Sequence, residues 1–403
     1  MVWFQQCLQA RKYFLGNRLT QIRVAGVGLY IHIPWCVRKC PYCDFNSHEL
    51  KGAVQEKAYV AALLRDLEFD LEKAGAVRVE TIFLGGGTPS LFSPEAIATL
   101  LSGVNDRVAC KPGLEVTMEA NPGTVESGRF KAFQQAGVNR LSMGIQSFDN
   151  AMLKRLGRIH SGEEAVAAIE TAQKAGFENL NLDFMFGLPG QNKAKALSDL
   201  KLAVTFNPAH LSHYQLTIEP NTLFYQQPPR LPEDDDCWAI QQVCKLLLED
   251  HGYAQYEISA WASPGRQCRH NLNYWRFGDY LGIGAGAHGK VSGAGDKKIT
   301  RSWKVKHPKG YLESAGTELS LGGQNVLQKI DLPLEFMMNL LRLKEGFERP
   351  LFEERTGMPW SDIDSSVSEL EAEGLLALSE NRVFCSQKGW NFLDEILQRF
   401  VSA

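Results

Sequence analysis

Three cysteines stand close together near the start of the chain, Cys36, Cys40 and Cys43. They follow the apolar, β-branched run of residues 29–33, which predicts a strand, so they lie in the loop that leaves that strand. Three thiolates in one short loop can hold three corners of a cubane iron–sulfur cluster, whereas ordinary cubane sites use four cysteines. Such a site leaves one iron open to a ligand from outside the protein.

A structural zinc site is the alternative for these thiols. Zinc takes four tight ligands, and its structural sites bring together two separated pairs of Cys or His. The sequence offers no second pair, although His48 is close enough along the chain to supply a fourth ligand. The ligand count therefore favours the iron–sulfur cluster over zinc.

Length and composition place the chain among ordinary globular proteins. Of its 403 residues, 44% are hydrophobic and 22% are charged, and the net charge of −3 gives no general attraction to nucleic acid. Nine cysteines spread over this length do not resemble a disulfide-dense secreted scaffold. No apolar run approaches the roughly 18–20 residues of a membrane span. These features predict a cytoplasmic protein without a transmembrane segment and without a nucleic-acid partner.

Strand-like and helix-like segments alternate from Tyr30 to about residue 216. Six successive β-then-α units predict an α/β fold, in which a parallel sheet carries helices on its outside. Chemistry in such sheets gathers at the carboxyl ends of the strands, where both the cysteine loop and the glycine-rich residues 85–89 are expected. The predicted strands are residues 29–33, 80–84, 115–118, 140–145, 180–186 and 211–216.

Several further residues at these strand ends could bind a ligand. Glycines 85–87 allow close approach of the backbone to a small molecule, although a tight turn explains them about as well. Glu119 can accept both hydroxyls of a ribose at a barrel mouth, or it is a charge at the start of a helix. Gln146 ends its strand in the same way, and Arg158 either pairs with a ligand carboxylate or lies on the surface. Asp183, inside an apolar strand, needs a partner or a ligand.

The cysteine spacing resembles the radical S-adenosylmethionine (radical SAM) superfamily. The resemblance implies a partial (β/α)6 barrel and a [4Fe–4S] cluster whose open iron is chelated by the amino and carboxylate groups of S-adenosylmethionine. Over residues 28–290 the chain resembles one branch of this superfamily more specifically, the oxygen-independent coproporphyrinogen III oxidases. For S-adenosylmethionine, this branch implies the ligand set Tyr30, Tyr42, Gly86, Gly87, Thr88, Glu119, Gln146, Arg158, Asp183 and Thr217.

Two features favour one group within this branch. The oxidases carry a further cysteine two residues after the third cluster cysteine, where this chain has Phe45. Residues 40–47 and the segment from His270 to Trp275 are instead similar to the HemW heme chaperones. That likeness implies that the chain binds heme and passes it to apo-hemoprotein acceptors, with room for a peripheral contact with membrane hemoproteins. His270 would lie in the heme pocket, as an iron ligand or as a core histidine.

The runner-up is the oxidase activity itself, oxidative decarboxylation of the propionates of coproporphyrinogen III. The barrel residues are shared by both groups, so they leave open whether this chain is an enzyme. Phe45 and the segment that begins at His270 favour the chaperone.

Composition divides the chain into four predicted regions. Residues 1–26 carry four basic and no acidic residues and predict a poorly ordered N-terminal extension; residues 27–290 form the barrel domain and residues 291–332 a linker. Residues 333–403 predict a C-terminal domain that resembles a winged helix. Its seven basic and thirteen acidic residues give the wrong charge for contact with DNA phosphates, so we expect a lid or a partner-docking module.

Overall fold

A computed structural model describes residues 25–123, 128–293 and 298–401. The predicted N-terminal extension, residues 1–26, lies outside this part of the chain except for its last two residues, which begin the first strand. Among the residues described, no helix is both long enough and apolar enough to cross a membrane.

The strands are, in chain order, β1 Ala25–Ile33, β2 Trp35–Cys36, β3 His48–Glu49, β4 Val77–Gly86, β5 Ala109–Ala120, β6 Arg140–Gln146, β7 Leu180–Phe186, β8 His210–Gln215, β9 Ala254–Glu257, β10 Ala260–Ala262, β11 Tyr280–Ile283, β12 His288–Ser292, β13 Ile299–Lys304, β14 Leu321–Val326, β15 Phe347–Glu348, β16 Leu376–Ser379 and β17 Arg382–Cys385. The helices are α1 Glu56–Ala74, α2 Pro94–Arg107, α3 Phe130–Gln135, α4 Asn150–Arg155, α5 Gly162–Lys174, α6 Lys193–Thr205, α7 Leu223–Gln226, α8 Asp234–Asp250, α9 Arg269–Trp275, α10 Pro308–Ser314, α11 Leu332–Leu340, α12 Arg349–Thr356, α13 Asp364–Ala372, α14 Gln387–Asn391 and α15 Leu393–Gln398.

One large sheet organises the molecule, with the strand order β14-β13-β12-β11-β1-β4-β5-β6-β7-β8-β10-β9. The central strands β1 and β4 to β8 run parallel to one another, which confirms the predicted six-unit α/β architecture of a partial barrel. Helices cover its outer face because their apolar stripes need burial: α1, for example, buries Leu63 and Leu67. The carboxyl ends of the parallel strands therefore open at one edge, where their loops meet.

The inner face of this partial barrel is polar, unlike the branched apolar layers that usually fill a closed barrel. The side chains of Ser142, Asn181 and His210 occupy paired positions on β6, β7 and β8. Asn181 Nδ2 donates to Ser142 Oγ at 2.7 Å, and Asn181 Oδ1 lies 2.6 Å from His210 Nδ1. Because these three side chains satisfy one another, they stay buried on the inner face without leaving their own polar atoms orphaned.

The sheet continues beyond the predicted barrel. Residues 291–332, predicted as a linker, contribute the last two residues of β12, all of β13 and β14, and helix α10. The antiparallel pairs β12–β13 and β13–β14 extend the sheet past β11. The sequence predicted a linker and not strands because β13 carries three consecutive polar residues, Thr300, Arg301 and Ser302, which interrupt the alternation typical of a strand. Cavities therefore form between this extension and the cysteine loop.

A buried cluster of charges fixes the extension to the barrel. Lys304 Nζ lies 2.6 Å from Asp66 Oδ1 and 2.6 Å from Asp70 Oδ1, and the side chains of Lys304 and Asp66 are almost completely buried. Tyr311 donates its hydroxyl to Asp66 Oδ2 at 2.7 Å, and the Gly284 amide donates to the same oxygen at 3.2 Å. Helix α1, strand β13 and the loop after β11 are thus held at one point.

The C-terminal residues fold in the order helix, short strand, two helices and a β-hairpin, from α11 to β17, followed by two further helices. This is the order of a winged helix, with a three-stranded sheet β15-β17-β16. Its apolar core includes Phe336 and also Phe277, from the turn before β11, and Ile299 of β13. The rings of Phe277 and Phe336 lie 5.7 Å apart. The module is packed on the barrel rather than tethered to it.

We expect Lys304→Met to lower the free energy of unfolding by roughly 3–5 kcal/mol, because it leaves Asp66 and Asp70 buried without their cation. Chemical denaturation monitored by circular dichroism measures this loss. The matched control is Lys73→Met, which removes an exposed pair with Glu318 and should change stability by at most about 1 kcal/mol. Equal losses in the two variants would contradict the structural role of Lys304.

Candidate cofactor and ligand site

Each of the three cysteine sulfurs has a polar neighbour, and two of these neighbours come from outside the cysteine loop. The Thr88 hydroxyl, just after β4, donates to Cys36 Sγ at 3.5 Å. Arg158 Nη1, from the loop after α4, donates to Cys40 Sγ at 3.7 Å. The Ser47 hydroxyl lies 3.7 Å from Cys43 Sγ. Donors placed on every sulfur stabilise thiolate charge and tune an iron–sulfur centre.

The thiols themselves fit a bound metal cluster. Burial raises the pKa of Cys36 and of Cys43, so without a metal both groups favour the neutral thiol. Metal coordination deprotonates a thiol and keeps the sulfur charged. Among the described residues, no three Cys, His, Asp or Glu side chains are grouped so that they could hold a single metal ion. A set of three thiols from one loop fits a cluster with one open iron better than a structural zinc site, which takes four protein ligands.

A cavity of about 300 Å³ opens beneath these sulfurs. It is bounded by the cysteine loop, by the exits of β4, β5 and β6, and by the inner faces of β7 and β8. The structure thus brings together most of the predicted ligand set, namely Cys36, Cys40, Tyr42, Cys43, Gly86, Gly87, Thr88, Glu119, Gln146, Arg158 and Asp183.

The glycine-rich turn is shaped by close backbone packing against the cysteine loop. Gly86 adopts φ +108°, and a Cβ there would lie 2.3 Å from the His32 ring. A Cβ on Gly87 would lie 2.5 Å from the Trp35 carbonyl oxygen, while the Gly87 amide donates to the Ile33 carbonyl at 2.8 Å. Glycine is required at both positions because any side chain would push β4 away from the loop.

Glu119 lies at the end of β5 and faces this turn. Its Oε2 accepts a hydrogen bond from the Gly86 amide at 3.0 Å. Burial, and then the nearby Asp183 carboxylate, raise the pKa of Glu119 to about 7, while the Gly86 amide opposes the shift. The carboxyl group therefore changes charge near neutral pH, and its other oxygen can accept a hydrogen bond from a ligand.

Gln146 and Arg158 stand on the far side of the cavity. Gln146, at the end of β6, has φ +67° and accepts a hydrogen bond from the Tyr214 hydroxyl at 2.7 Å. Arg158 Nη2 donates to Asn121 Oδ1 at 2.6 Å and to the Gly144 carbonyl at 2.7 Å. Arg158 is therefore fixed in the cavity wall beside a cluster sulfur, and it is not a surface residue.

Asp183 has the partners that its burial demands. Its two carboxylate oxygens accept hydrogen bonds from Ser142 Oγ at 3.0 Å and from Asn181 Nδ2 at 2.8 Å. Burial raises its pKa, and these bonds together with the Arg140 charge oppose the rise. Sequence reasoning missed Arg140, a completely buried guanidinium in the cavity wall, because a lone arginine at a strand start looks like a surface charge.

Three predicted site residues lie outside this cavity: Tyr30 lines the second cavity described below, and Thr217 and His270 line neither. Thr217 is exposed and donates to Glu219 Oε1 at 2.8 Å, since β8 has already ended at Gln215. His270 is buried in α9 with both ring nitrogens engaged, 2.8 Å from the Thr81 hydroxyl and 2.8 Å from the Tyr274 hydroxyl. Its ring also stacks on Phe83. In this arrangement His270 has no free nitrogen for iron, and it supports Tyr274.

A second cavity of about 760 Å³ adjoins the first. The two share Phe45, Ser47, Gly86 and Glu119 as a common wall. The second cavity lies between the cysteine loop, helix α9 and the sheet extension, and it combines aromatic rings with cations and imidazoles. Its lining includes the aromatic residues Tyr30, Phe45, Tyr274, Trp275, Phe277 and Tyr280, the cations Lys39, Lys290, Arg301 and Lys306, and the histidines His32, His48 and His288.

Comparison with known families identifies two parts of the chain. The model of the Radical SAM superfamily matches residues 30–203, and the model of the HemN C-terminal domain matches residues 327–392. Among solved structures, coproporphyrinogen III oxidase (HemN) from Escherichia coli, described as a radical SAM enzyme, superposes with a TM-score of 0.78 at 22% identity. The match covers 94% of this chain and 90% of that one, which shows a shared fold.

Curated relatives match over nearly the whole length. The heme chaperone HemW of Escherichia coli (strain K12) is 50% identical over 381 residues, which cover 94% of this chain and 100% of that protein. HemW of Haemophilus influenzae is 48% identical over 93% of this chain and 98% of its own length. HemW of Mycobacterium tuberculosis is 35% identical over 93% and 94%, respectively. The chain therefore belongs to the HemW heme chaperone family of radical SAM proteins.

Proposed function

We propose that this protein is a heme chaperone, which binds heme in the second cavity and transfers it to apo-hemoproteins. Family membership supports the activity, and the second cavity carries the assignment of the site. Its volume lies within the range of roughly 300–1,000 Å³ typical of ligand pockets. Aromatic rings there can pack on the porphyrin face, and cations can meet its propionates.

Two of the cations in this cavity have unused capacity for propionates. Lys290 Nζ is already bound, 3.0 Å from Asp279 Oδ1 and 3.1 Å from the Phe277 carbonyl. Arg301 pairs with Glu335 through Nη2, but its buried Nε has no partner among the described residues. Lys306 is exposed at the same cavity. Arg301 and Lys306 are therefore the cations that we assign to the propionates.

The first cavity would hold the resident cofactors. Cys36, Cys40 and Cys43 would bind a [4Fe–4S] cluster, and Gly86, Gly87 and Glu119 would bind S-adenosylmethionine beside it. When bound, the cluster and S-adenosylmethionine together supply one-electron chemistry at the sulfonium centre of S-adenosylmethionine. The chain's own part is to place a donor on each sulfur and to fix Arg158 through Asn121 and Gly144.

Coproporphyrinogen III oxidase activity is not favoured. The whole-length relatives are chaperones, whereas the oxidase shares only the fold at 22% identity. The oxidases' extra cysteine is replaced by Phe45, whose side chain is 57% exposed at the wall shared by the two cavities. An exposed aromatic ring there suits contact with a planar cargo better than it suits redox or proton chemistry.

The docking surface for the heme acceptor and the cellular compartment are proposed from the charge of the C-terminal module and from the state of the cysteines. The acidic C-terminal module, which shares a core with Phe277, is the surface that we assign to acceptor docking. All eight cysteines in the described ranges are free thiols, which supports a reducing, cytoplasmic compartment. Neither the relatives nor the described residues support contact with a membrane, so we propose none.

Replacing Cys36, Cys40 and Cys43 together by Ala should remove the iron–sulfur cluster, because no other thiols share that cavity. After anaerobic reconstitution we expect loss of the absorption near ~400 nm that is typical of thiolate-to-iron charge transfer. Iron and sulfide analysis checks the result. Cys110→Ala, a half-buried thiol on β5, is the control that should load normally. A triple variant with wild-type iron content would refute the assignment.

Binding of S-adenosylmethionine should strengthen as the pH rises from 6 to 8. The carboxylate of Glu119 would accept the ribose hydroxyls, and with a pKa of about 7 it is mostly protonated at pH 6 and mostly ionised at pH 8. The expected change in Kd is about tenfold. Glu119→Gln should bind S-adenosylmethionine more weakly and should lose the part of the pH dependence that comes from Glu119. The part that comes from the ligand's own amino group remains in both proteins. Parallel pH profiles from calorimetry would remove Glu119 from the ribose site.

Heme titration of the reconstituted protein tests the proposed function directly. We expect uptake of one heme per chain, followed by transfer to an apo-hemoprotein. The same preparation, supplied with coproporphyrinogen III, reductant and S-adenosylmethionine, should yield no vinyl product. Failure to take up heme stoichiometrically, or vinyl product at an enzymatic rate, would overturn the chaperone assignment.

A further inference from the structure

Three histidines line the second cavity, and their hydrogen bonds separate them. His32 has both ring nitrogens engaged: Nδ1 is 3.0 Å from the Tyr30 hydroxyl, and Nε2 donates to the Asn46 carbonyl at 2.9 Å. His48 Nε2 lies 3.2 Å from Asn46 Oδ1, and its ring also interacts with the backbone of Lys306. Neither imidazole can turn toward a ligand without losing these contacts.

His288 is different, because neither of its ring nitrogens has a hydrogen-bond partner among the residues that the structure describes. The residue starts β12, is exposed and lines the cavity. A histidine nitrogen that is free and reaches into a ligand cavity is available as a metal ligand. The other histidine that the sequence singled out, His270, is buried outside this lining with both nitrogens bonded.

Several neighbouring elements hold the His288 ring in place. His288 is paired with Trp303 across β12 and β13, and the two rings stack with their centroids 6.3 Å apart at 29°. Trp303 in turn lies on Gly323 of β14, where a Cβ would come within 2.3 Å of the indole. On the other side, a Cβ on Gly282 would lie 1.9 Å from the His288 carbonyl oxygen. The sheet extension thus places Trp303 against one face of the imidazole and fixes the His288 backbone against β11.

The charges around His288 favour its metal-binding form. Partial desolvation lowers its pKa, and the positive charges of Lys306 and Arg301 lower it further, which favours the neutral imidazole. Neutral imidazole is the form that ligates iron. The same two cations are those assigned above to the propionates, which places both recognition elements of a heme at one end of the cavity.

We propose that His288 is the axial ligand through which the second cavity holds heme iron. This inference rests on the proposed chaperone function and names the ligand of that same site. Because His288 lies at the exposed rim, an acceptor's own ligand can replace it without the heme first leaving the cavity. An exchangeable ligand of this kind suits a protein that must release what it binds.

Heme titration of His288→Ala tests the proposal, with His307→Ala as the matched control from the same region and His48→Ala as the test of the competing imidazole in the cavity. The exposed His307 lies outside the cavity lining and caps α10, with its ring 5.8 Å from that of His48. We expect His288→Ala, and not His307→Ala, to shift the Soret band, to change the iron spin state and to weaken heme binding by at least about tenfold. Added imidazole should restore the wild-type spectrum to that variant.

The outcomes separate this inference from the proposed function. Wild-type protein that takes up no heme would overturn the chaperone assignment itself. Wild-type protein that binds heme while His288→Ala keeps an identical spectrum and affinity would overturn only the axial ligand. A spectral loss confined to His48→Ala would do the same. Circular dichroism and thermal unfolding of each variant must match the wild type, and His288→Gln, which keeps a polar side chain at the position, serves if His288→Ala is unstable.

Discussion

The constraint on which this structure depends is the need to surround three cysteine sulfurs with donors. Thiolate charge in a partly buried loop is stable only when hydrogen bonds or metal ions offset it. Thr88, Arg158 and Ser47 meet this need, and two of them come from outside the cysteine loop. A parallel sheet supplies this arrangement, because the carboxyl ends of β1, β4 and β6 all open at one edge. The glycines that follow β4 then allow its backbone to lie directly against the loop.

Two cavities of different chemistry share one wall. The inner one is polar and carries carboxyl, amide and guanidinium groups, which suits a charged nucleoside. The outer one is lined by aromatic rings and cations, which suits a flat apolar ring with acidic substituents. Glu119 and Gly86 belong to both linings, so an occupant of either cavity contacts residues that the other uses. The fold therefore places two separate binding spaces side by side at the same edge of the sheet.

The barrel and the cluster loop could be predicted from the sequence, because apolar β-branched strands and closely spaced cysteines are local signals. The limits of prediction appear where side chains act over long distances in the chain. The sequence left His270 open as an iron ligand or a core histidine, and the fold uses its ring to hold Thr81 and Tyr274. His288 carries no spacing signal that would mark it as a ligand. Strand β13 was concealed by its polar residues, and Thr217 falls just beyond the end of its strand.

The buried charges that join α1 to β13 also constrain how such a sequence can diverge. Loss of Lys304 alone leaves two carboxylates buried without a cation. Loss of Asp66 alone removes one of the two acceptors of Lys304 and the acceptor of the Tyr311 hydroxyl and the Gly284 amide. Each single replacement is strongly unfavourable, whereas simultaneous replacement by apolar side chains of similar volume can be neutral. Positions 66, 70, 304 and 311 should therefore co-vary among descendants of this chain. Strand β13 also forms part of the wall of the second cavity, so the same co-variation limits how the sequence around that cavity can change.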